Sequence, residues 1–290
     1  MLEERRFPPA SRHLECAMDS TEKLLQAELP PRPAVLAPLT SEMQSEEPDL
    51  SRVSELVSAD VGLSASVIKT VNSPYFGLGR QVASVQQAVT FLGLAEVFGI
   101  VTGALLRRAF ASGDAAMEQI WDNAATRGVM MRQLASGLRV IAPDRAYTCG
   151  LFENSGMALL LIHAPGYAHT LKHGGDGAGL QERERVRYGI DHAALGQALV
   201  RTWGLPDDIA LAVRHHHELQ NIEGLEIPWQ TRQLIALSVV ANEGLARAHG
   251  LRCDNWEADL LVVGHVLNLA AVELEQQIQK LVVSQPVAAS

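Results

Sequence analysis

Residues 149–164 read CGLFENSGMALLLIHA, and this pattern decides how we interpret the fold of the chain. Its small residues, among them Gly150 and Gly156, would let neighbouring helices approach closely, while its leucine, phenylalanine and isoleucine side chains supply an apolar helix body. The polar pair Glu153 and Asn154 interrupts this apolar run. A buried carboxylate must be paired, protonated or bound to another group. The segment therefore predicts a polar site deep between helices.

The composition of the chain sets the class of protein. Its 290 residues are 47% hydrophobic and 20% charged, which is enough for a well-packed core. The net charge of -9 argues against a nucleic-acid surface, because phosphate binding needs clustered Lys and Arg. The longest apolar run falls well short of the ~20 residues that a membrane helix needs. We therefore expect a protein that binds neither membrane nor nucleic acid.

The three cysteines are spread far apart and form no Cys-x-x-Cys pair. This spacing indicates neither a disulfide framework nor a structural zinc site. A reducing cytoplasm is the simplest location for such a chain.

Helical periodicity runs through the sequence, and no segment alternates apolar and polar residues as a strand does. We therefore predict an all-α fold. The predicted helices cover 12–28, 35–43, 50–57, 63–71, 85–92, 95–110, 117–137, 143–164, 192–203, 206–218, 229–249 and 256–281. A glycine-rich run at 173–179, HGGDGAG, lacks a preceding strand and a P-loop lysine, so we interpret it as a connection rather than a phosphate loop.

A break at Gly113 and Asp114 is the predicted boundary between two helical subdomains. The prediction divides the chain into an N-terminal tail, 1–11, a first subdomain, 12–112, a second subdomain, 113–250, a C-terminal helix, 251–282, and a tail, 283–290. The C-terminal helix could cover the core or mediate a homodimer. Its apolar face favours the core.

Residues 63–102, LSASVIKTVNSPYFGLGRQVASVQQAVTFLGLAEVFGIVT, resemble the HDOD domain, the HD-related output domain of bacterial signalling proteins. The loop that carries the resemblance contains Asn72, Ser73, Tyr75, Phe76 and Gly77. Further matches follow in order at 84–93, 121, 150–156, 189–196, 203–206 and 215–216, so the resemblance spans roughly 24–248. It implies an HDOD-type helical bundle, in which an N-terminal subdomain packs on a C-terminal HD-like subdomain.

The same resemblance locates the positions at which metal-dependent HD phosphohydrolases carry their ligands. Those enzymes use a His on one helix, a His-Asp pair on the next and a distant Asp. The resemblance puts Asn123 at the first position, Glu153 and Asn154 at the pair, and Asn242 at the last. Neutral amides cannot supply the charge that holds two metals and activates a bridging water. We therefore expect no catalytic residue, no bound metal and no cofactor.

The histidines leave two interpretations open. In one, His192, His215 and His216 point inward with Glu153 and form a reduced metal site. In the other, which we favour, they bind Asn123, Asn154 and backbone in a buried polar network. His217 and Glu218, at a helix end, could simply be solvated.

The loop at Asn72 and Ser73 could bind a ligand, but a helix cap is the simpler interpretation, because Asn tolerates left-handed backbone geometry. We expect a non-catalytic signalling module that binds a protein partner or a small ligand. The alternative is a diverged phosphohydrolase of nucleotides or cyclic dinucleotides that uses Glu153, His192, His215 and His216.

Overall fold

The computed structural model describes residues 29–73, 76, 81–173 and 178–284, with the side chains of 173 and 178 left aside. Within these residues every regular element is a helix, which confirms the predicted all-α fold. The predicted helix over 12–28, the loop residues Tyr75 and Gly77, and most of the glycine-rich run and of the C-terminal tail lie outside the described residues.

The predicted first subdomain, 12–112, contains five helices in its described part. They are α1 (Leu36–Gln44), α2 (Leu50–Ser58), α3 (Val61–Val71), α4 (Val85–Leu92) and α5 (Leu94–Ala109). Polar N-caps start three of them, and at α3 the Asp60 carboxylate accepts from the backbone of Leu63 at 3.0 Å. The Asp49 carboxylate accepts from the backbone of Ser51 at 2.9 Å, and the Ser84 hydroxyl accepts from the backbone of Gln87 at 3.2 Å. The backbone N–H of Ala83, one residue before this cap, donates to the Gln87 side-chain oxygen at 2.9 Å, a variant of the reciprocal capping box.

The remaining helices form the second subdomain and the C-terminal segment. They are α6 (Ala115–Leu138), α7 (Pro143–Phe152), α8 (Ser155–His163), α9 (Tyr167–His173), α10 (Ala178–Tyr188), α11 (His192–Thr202), α12 (Asp207–His215), a 3-10 turn (Leu219–Gly224), α13 (Trp229–Ala248), α14 (Trp256–Leu267) and α15 (Ala271–Ser284). Helices α6 and α7 pack so closely that a Cβ on Gly150 would lie 2.7 Å from the Cα of Gly128.

The contacts that join the two predicted subdomains include two close ones. Helix α5 packs on α7, where a Cβ on Gly99 would lie 2.7 Å from the Tyr147 ring. The buried indole of Trp203 donates to the backbone carbonyl of Pro30 at 3.0 Å. The described start of the chain is therefore tied to the second subdomain.

The prediction of one helix over 143–164 is wrong in one respect, because the structure has two helices in this segment. Helix α7 ends at Phe152, and Asn154 has φ -106° and ψ 17°, outside the helical range, before α8 begins at Ser155. The break lies at the polar pair. Glu153, the residue just before the break, is buried.

Close packing of α8 against α11 depends on Gly156. A Cβ at this position would lie 1.9 Å from the carbonyl oxygen of His192 and 2.8 Å from the backbone nitrogen of Gly196. Only a glycine lets the two backbones meet at this distance. The contact fixes the start of α11, and with it His192, against α8.

The predicted C-terminal helix over 251–282 is also two helices. Asn268 adopts the left-handed conformation, with φ 53°, and ends α14 before α15 begins. Leu274, Ile278 and Leu281 of α15 are buried, so this segment covers the core. Asn is one of the residues that adopt this conformation readily.

A buried carboxylate, Glu243, anchors the C-terminal helices to α13. It accepts from the Arg247 guanidinium at 2.6 Å and from the backbone of Cys253 at 2.9 Å. Arg247 also binds Glu275 of α15 at 3.0 Å, and the Trp256 indole donates to the same carboxylate at 3.2 Å.

None of the described helices combines the length and the apolar character that crossing a membrane requires.

Candidate functional site

The centre of the candidate site is Glu153, whose side chain is almost completely buried at the end of α7. One carboxylate oxygen, Oε1, accepts from the Asn242 amide at 2.9 Å, and the other accepts from the Ser238 hydroxyl. Both donors lie on α13. The carboxylate is therefore held by hydrogen bonds on both oxygens.

The positive charge beside Glu153 comes from Arg127 of α6, which is also buried. Its Nε lies 3.3 Å from Glu153 Oε1 and donates to Asn242 Oδ1 at 2.8 Å. Its Nη1 donates to the carbonyl of Gly150 at 3.3 Å. The guanidinium thus joins helices α6, α7 and α13 around one carboxylate.

The electrostatics of Glu153 follow from this arrangement. Burial on its own raises the pKa of a carboxyl group, because it penalises the charged form. At Glu153 the opposing effects of Arg127, His216 and the bonds from Asn242 and Ser238 are larger together, and they hold its pKa below the usual value. Glu153 is therefore an ionised carboxylate in a buried ion pair.

The structure brings only some of the predicted residues to Glu153. Asn242 contacts it directly, whereas Asn123 lies one turn before Arg127 and accepts from Gln119 at 2.9 Å on the outer side of α6. The Oδ1 atom of Asn154 is buried and has no hydrogen-bond partner among the described residues.

Sequence reasoning missed Arg127 and Ser238. The signal for Arg127 is its spacing, because the apolar periodicity of α6 puts position 127 beside the buried Ala124 and Met131. An arginine on the buried face of a helix needs a carboxylate partner. Ser238 carries no comparable signal, since buried serines are common in helices.

Three histidines form a second cluster next to this ion pair. The Nε2 atom of His192, the first residue of α11, lies 3.3 Å from Nε2 of His216 and 3.0 Å from Nε2 of His217. His192 and His216 are buried, and His217 is half-buried. Three imidazole nitrogens therefore converge where the start of α11 meets the end of α12.

The opposite ring nitrogens of two of these histidines are engaged. His192 Nδ1 lies 2.6 Å from Glu184 Oε2, and the same oxygen accepts from the His192 backbone at 2.9 Å. The other oxygen of Glu184 accepts from the Tyr167 hydroxyl. His216 Nδ1 donates to the Val213 carbonyl at 2.7 Å.

Burial keeps two of the three rings, His216 and His217, uncharged. Desolvation lowers the pKa of His216 to about 4, although Glu153 acts in the opposite direction. Desolvation, followed by the charges of His216 and His192, lowers the pKa of His217 well below its usual value. Both rings are therefore neutral imidazoles at neutral pH.

The expectation for His215 and His217 is corrected by the structure. His215 turns away from the cluster, is only partly buried, and lies 3.3 Å from Glu218. His217 takes its place beside His192, in the turn that follows the end of α12 at His215. A run of three consecutive histidines does not reveal in advance which of them face the core.

The loop of the HDOD resemblance has a structural role at Asn72. The Asn72 side chain donates to the carbonyl of Val82 and accepts from its backbone nitrogen, both at 2.8 Å. Asn72 is the C-cap of α3, as predicted, although its φ of -83° and ψ of 2° are not left-handed. The Ser73 backbone nitrogen bonds Thr70, and the Phe76 ring lies 5.9 Å from the Arg132 guanidinium.

The family of the chain follows from comparison with known proteins. The model of the HDOD domain family matches residues 29–219. This is well over half of the chain, and the chain belongs to the HDOD domain family. The curated relatives are longer proteins, and the chain spans 42% of one and 14% of another.

Solved structures show the same fold. An HDOD domain protein of unknown function from Geobacter sulfurreducens matches with a TM-score of 0.72 at 17% identity, over 95% of this chain and 98% of the other. A protein of Marinobacter aquaeolei VT8, provisionally named a signal transduction protein, gives 0.69 at 21% identity, over 93% and 64%. A protein of Shewanella amazonensis SB2B, provisionally named a phosphohydrolase, gives 0.68 at 22% identity, over 93% and 98%.

Proposed function

We propose that this chain is a non-catalytic module of bacterial signal transduction, which binds a protein partner or a small ligand instead of hydrolysing a substrate. The observation that carries the proposal is the buried ion pair of Arg127 and Glu153. The carboxylate at the position of the HD pair already has a cation, and that cation belongs to the chain itself.

The chemistry around the ion pair supports this proposal. Hydrolysis at an HD site needs anionic oxygen ligands and a metal-bound water. Both oxygens of Glu153 accept hydrogen bonds from the protein, and Asn154 and Asn242 carry neutral amides. A divalent ion would have to displace a guanidinium from a low-dielectric interior, where like charges repel strongly.

The binding role has a candidate surface in the groove between α4 and α5 on one side and α6 and α7 on the other. The groove has a volume of about 570 Å³ and is lined by Glu96, Arg132, Asp144 and Tyr147, among others. Glu96 and Arg132 form an ion pair there, and burial raises the pKa of Glu96 although Arg132 opposes the shift. Such a mixed apolar and charged groove suits a small ligand or a partner side chain.

An assay of hydrolysis tests the proposal. The purified full-length chain is incubated with nucleotides, cyclic dinucleotides and a generic phosphodiester in the presence of Mg²⁺, Mn²⁺ or Zn²⁺. We expect no turnover above the buffer blank with any metal. Metal-dependent turnover that is retained by His215→Ala but lost in Glu153→Gln would contradict the proposal.

A diverged phosphohydrolase is the second candidate, and the histidine cluster is the observation that favours it. The phosphohydrolase name of the Shewanella protein points in the same direction. The two candidates differ in the same assay, because a hydrolase built on His192 would lose its turnover in His192→Ala, whereas the non-catalytic module has none to lose.

A further inference from the structure

We propose that His192, His216 and His217 bind one transition-metal ion of the zinc class, through their three Nε2 atoms, with a further coordination position left for water or a ligand. This site is separate from the ion pair of Glu153 and requires no hydrolysis. The inference therefore goes beyond the proposed function and does not depend on it.

The distances between the ring nitrogens match those of a metal site. Zn–N bonds of about 2.0–2.1 Å put neighbouring ligand nitrogens about 3.3 Å apart in a tetrahedral site and about 3.0 Å apart in an octahedral one. His192 Nε2 lies 3.3 Å from the corresponding atom of His216 and 3.0 Å from that of His217. All three ligand atoms lie within 4.8 Å of one another.

The tautomers provide the second argument. A carbonyl only accepts, so His216 carries its proton on Nδ1, which donates to Val213. Glu184 Oε2 accepts from the His192 backbone and so faces the ring as an acceptor, which puts the proton of His192 on Nδ1. Both Nε2 atoms then present lone pairs to each other across 3.3 Å. Two acceptors that face each other repel, and a cation between them converts the repulsion into two bonds.

The groups behind His192 resemble the outer shell of a metal centre. A ligating histidine usually donates its other ring nitrogen to a carboxylate or a carbonyl, which fixes the tautomer and the orientation of the ring. Glu184 supplies the carboxylate, and it is itself held by the Tyr167 hydroxyl and the His192 backbone. The Val213 carbonyl has the same function for His216.

The ligand set also selects the kind of metal. Imidazole nitrogens suit Zn, Cu, Fe and Ni, whereas Mg and Ca prefer oxygen. Because His217 is half-buried while the other two ligands are buried, the site opens on the side of His217. The open position would face the surface there.

Metal analysis of the full-length chain, after removal of any affinity tag and dialysis against chelator, tests the site. Titration with ZnCl₂ in a calorimeter should give one ion per chain. Substitution with Co²⁺ should give a visible absorption band, whose intensity separates four-coordinate from six-coordinate geometry. We expect His217→Ala to weaken zinc binding at least ~10-fold, because one of three ligands is removed.

His215→Ala is the matched control, since His215 is adjacent in sequence but pairs with Glu218 outside the cluster. It should bind zinc as the native chain does. Glu184→Gln keeps all three ligands and should weaken binding ~10- to 100-fold, which separates loss of the outer shell from loss of a ligand. Circular dichroism shows whether each variant is folded.

Two outcomes would overturn the site: no zinc bound by the folded native chain, or equal zinc binding by the native chain and folded His217→Ala. Zinc binding without hydrolysis supports both proposals. Zinc binding with hydrolysis overturns the non-catalytic role and leaves the metal site in place.

Discussion

At the scale of single residues, the buried ion pair of Arg127 and Glu153 has a large effect on the free energy of unfolding. Removing two charges from water is costly, and their attraction offsets that cost only when further hydrogen bonds complete the arrangement. Asn242 and Ser238 provide those bonds to Glu153, and Gly150 provides one to Arg127. Removing either partner alone should therefore lower the free energy of unfolding far more than removing both together.

Substitution of Arg127 by leucine should destabilise the chain by about 3–5 kcal/mol, because Glu153 is left buried without a cation. Urea unfolding followed by circular dichroism measures the loss. The double variant Arg127→Leu and Glu153→Leu should recover most of it. The control is Arg107→Leu, which removes an exposed ion pair and should change stability by less than about 1 kcal/mol.

Glu153 should also give the chain an acid-sensitive stability. Its folded pKa lies below the unfolded value of 4.5, so the unfolded state binds more protons as the pH falls. The resulting stabilisation is complete above that unfolded value and is lost as the pH falls through the folded pKa. The urea midpoint should therefore fall more steeply below about pH 4.5 in the native chain than in Glu153→Gln. Parallel slopes would contradict an ionised Glu153.

The sequence predicted part of this site and not the rest. A carboxylate inside an apolar helix required a partner, which predicted that position 153 lies in a polar site, and the resemblance added Asn242. The sequence did not predict Arg127 as the partner of Glu153, because the contact between them joins α6 to α7 and depends on tertiary packing. The choice between His215 and His217 depends on where α12 ends, and helix ends shift by a residue or two for reasons that local sequence does not carry.

At the scale of elements, glycines set the distances between helices that the site needs. Gly156 holds α8 against the start of α11, and Gly150 holds α7 against α6. The sequence indicated this role, since small residues in an apolar helix predict close approach. It did not indicate the helix break beside them, because the apolar helical pattern resumes after the polar residues 153–155.

Gly156→Ala should destabilise the chain by at least about 3 kcal/mol, since the new methyl group would meet backbone atoms that cannot move separately from their helices. Thermal unfolding measures the effect. Gly137→Ala is the matched control, because Gly137 lies near the end of α6 with nothing within 4 Å of the new atom. It should stabilise the helix by about 0.5–1 kcal/mol.

At the scale of the whole molecule, the C-terminal helices belong to the same core as the family-matched region. The match ends at residue 219, yet α13 supplies Ser238 and Asn242 to Glu153, and α15 packs on α13. The predicted single helix over 251–282 failed at Asn268, since one residue with a left-handed backbone interrupts an otherwise continuous apolar pattern.

Ile278→Ala in α15 should lower the free energy of unfolding by about 2–5 kcal/mol, because it opens a cavity in a fully buried position. Leu261→Ala in α14 is the control, since that side chain is 79% exposed, and it should change stability by less than about 0.5 kcal/mol. Chemical denaturation of both variants compares them. Equal effects would show that α15 does not share the core.

The internal cation at Glu153 also constrains the evolution of this chain. Replacing Arg127 leaves a buried carboxylate alone, at a loss comparable with much of the ~5–15 kcal/mol that keeps a protein folded. Position 127 should therefore tolerate change only when position 153 changes with it. The ion pair makes the two positions covary, although they lie on different helices.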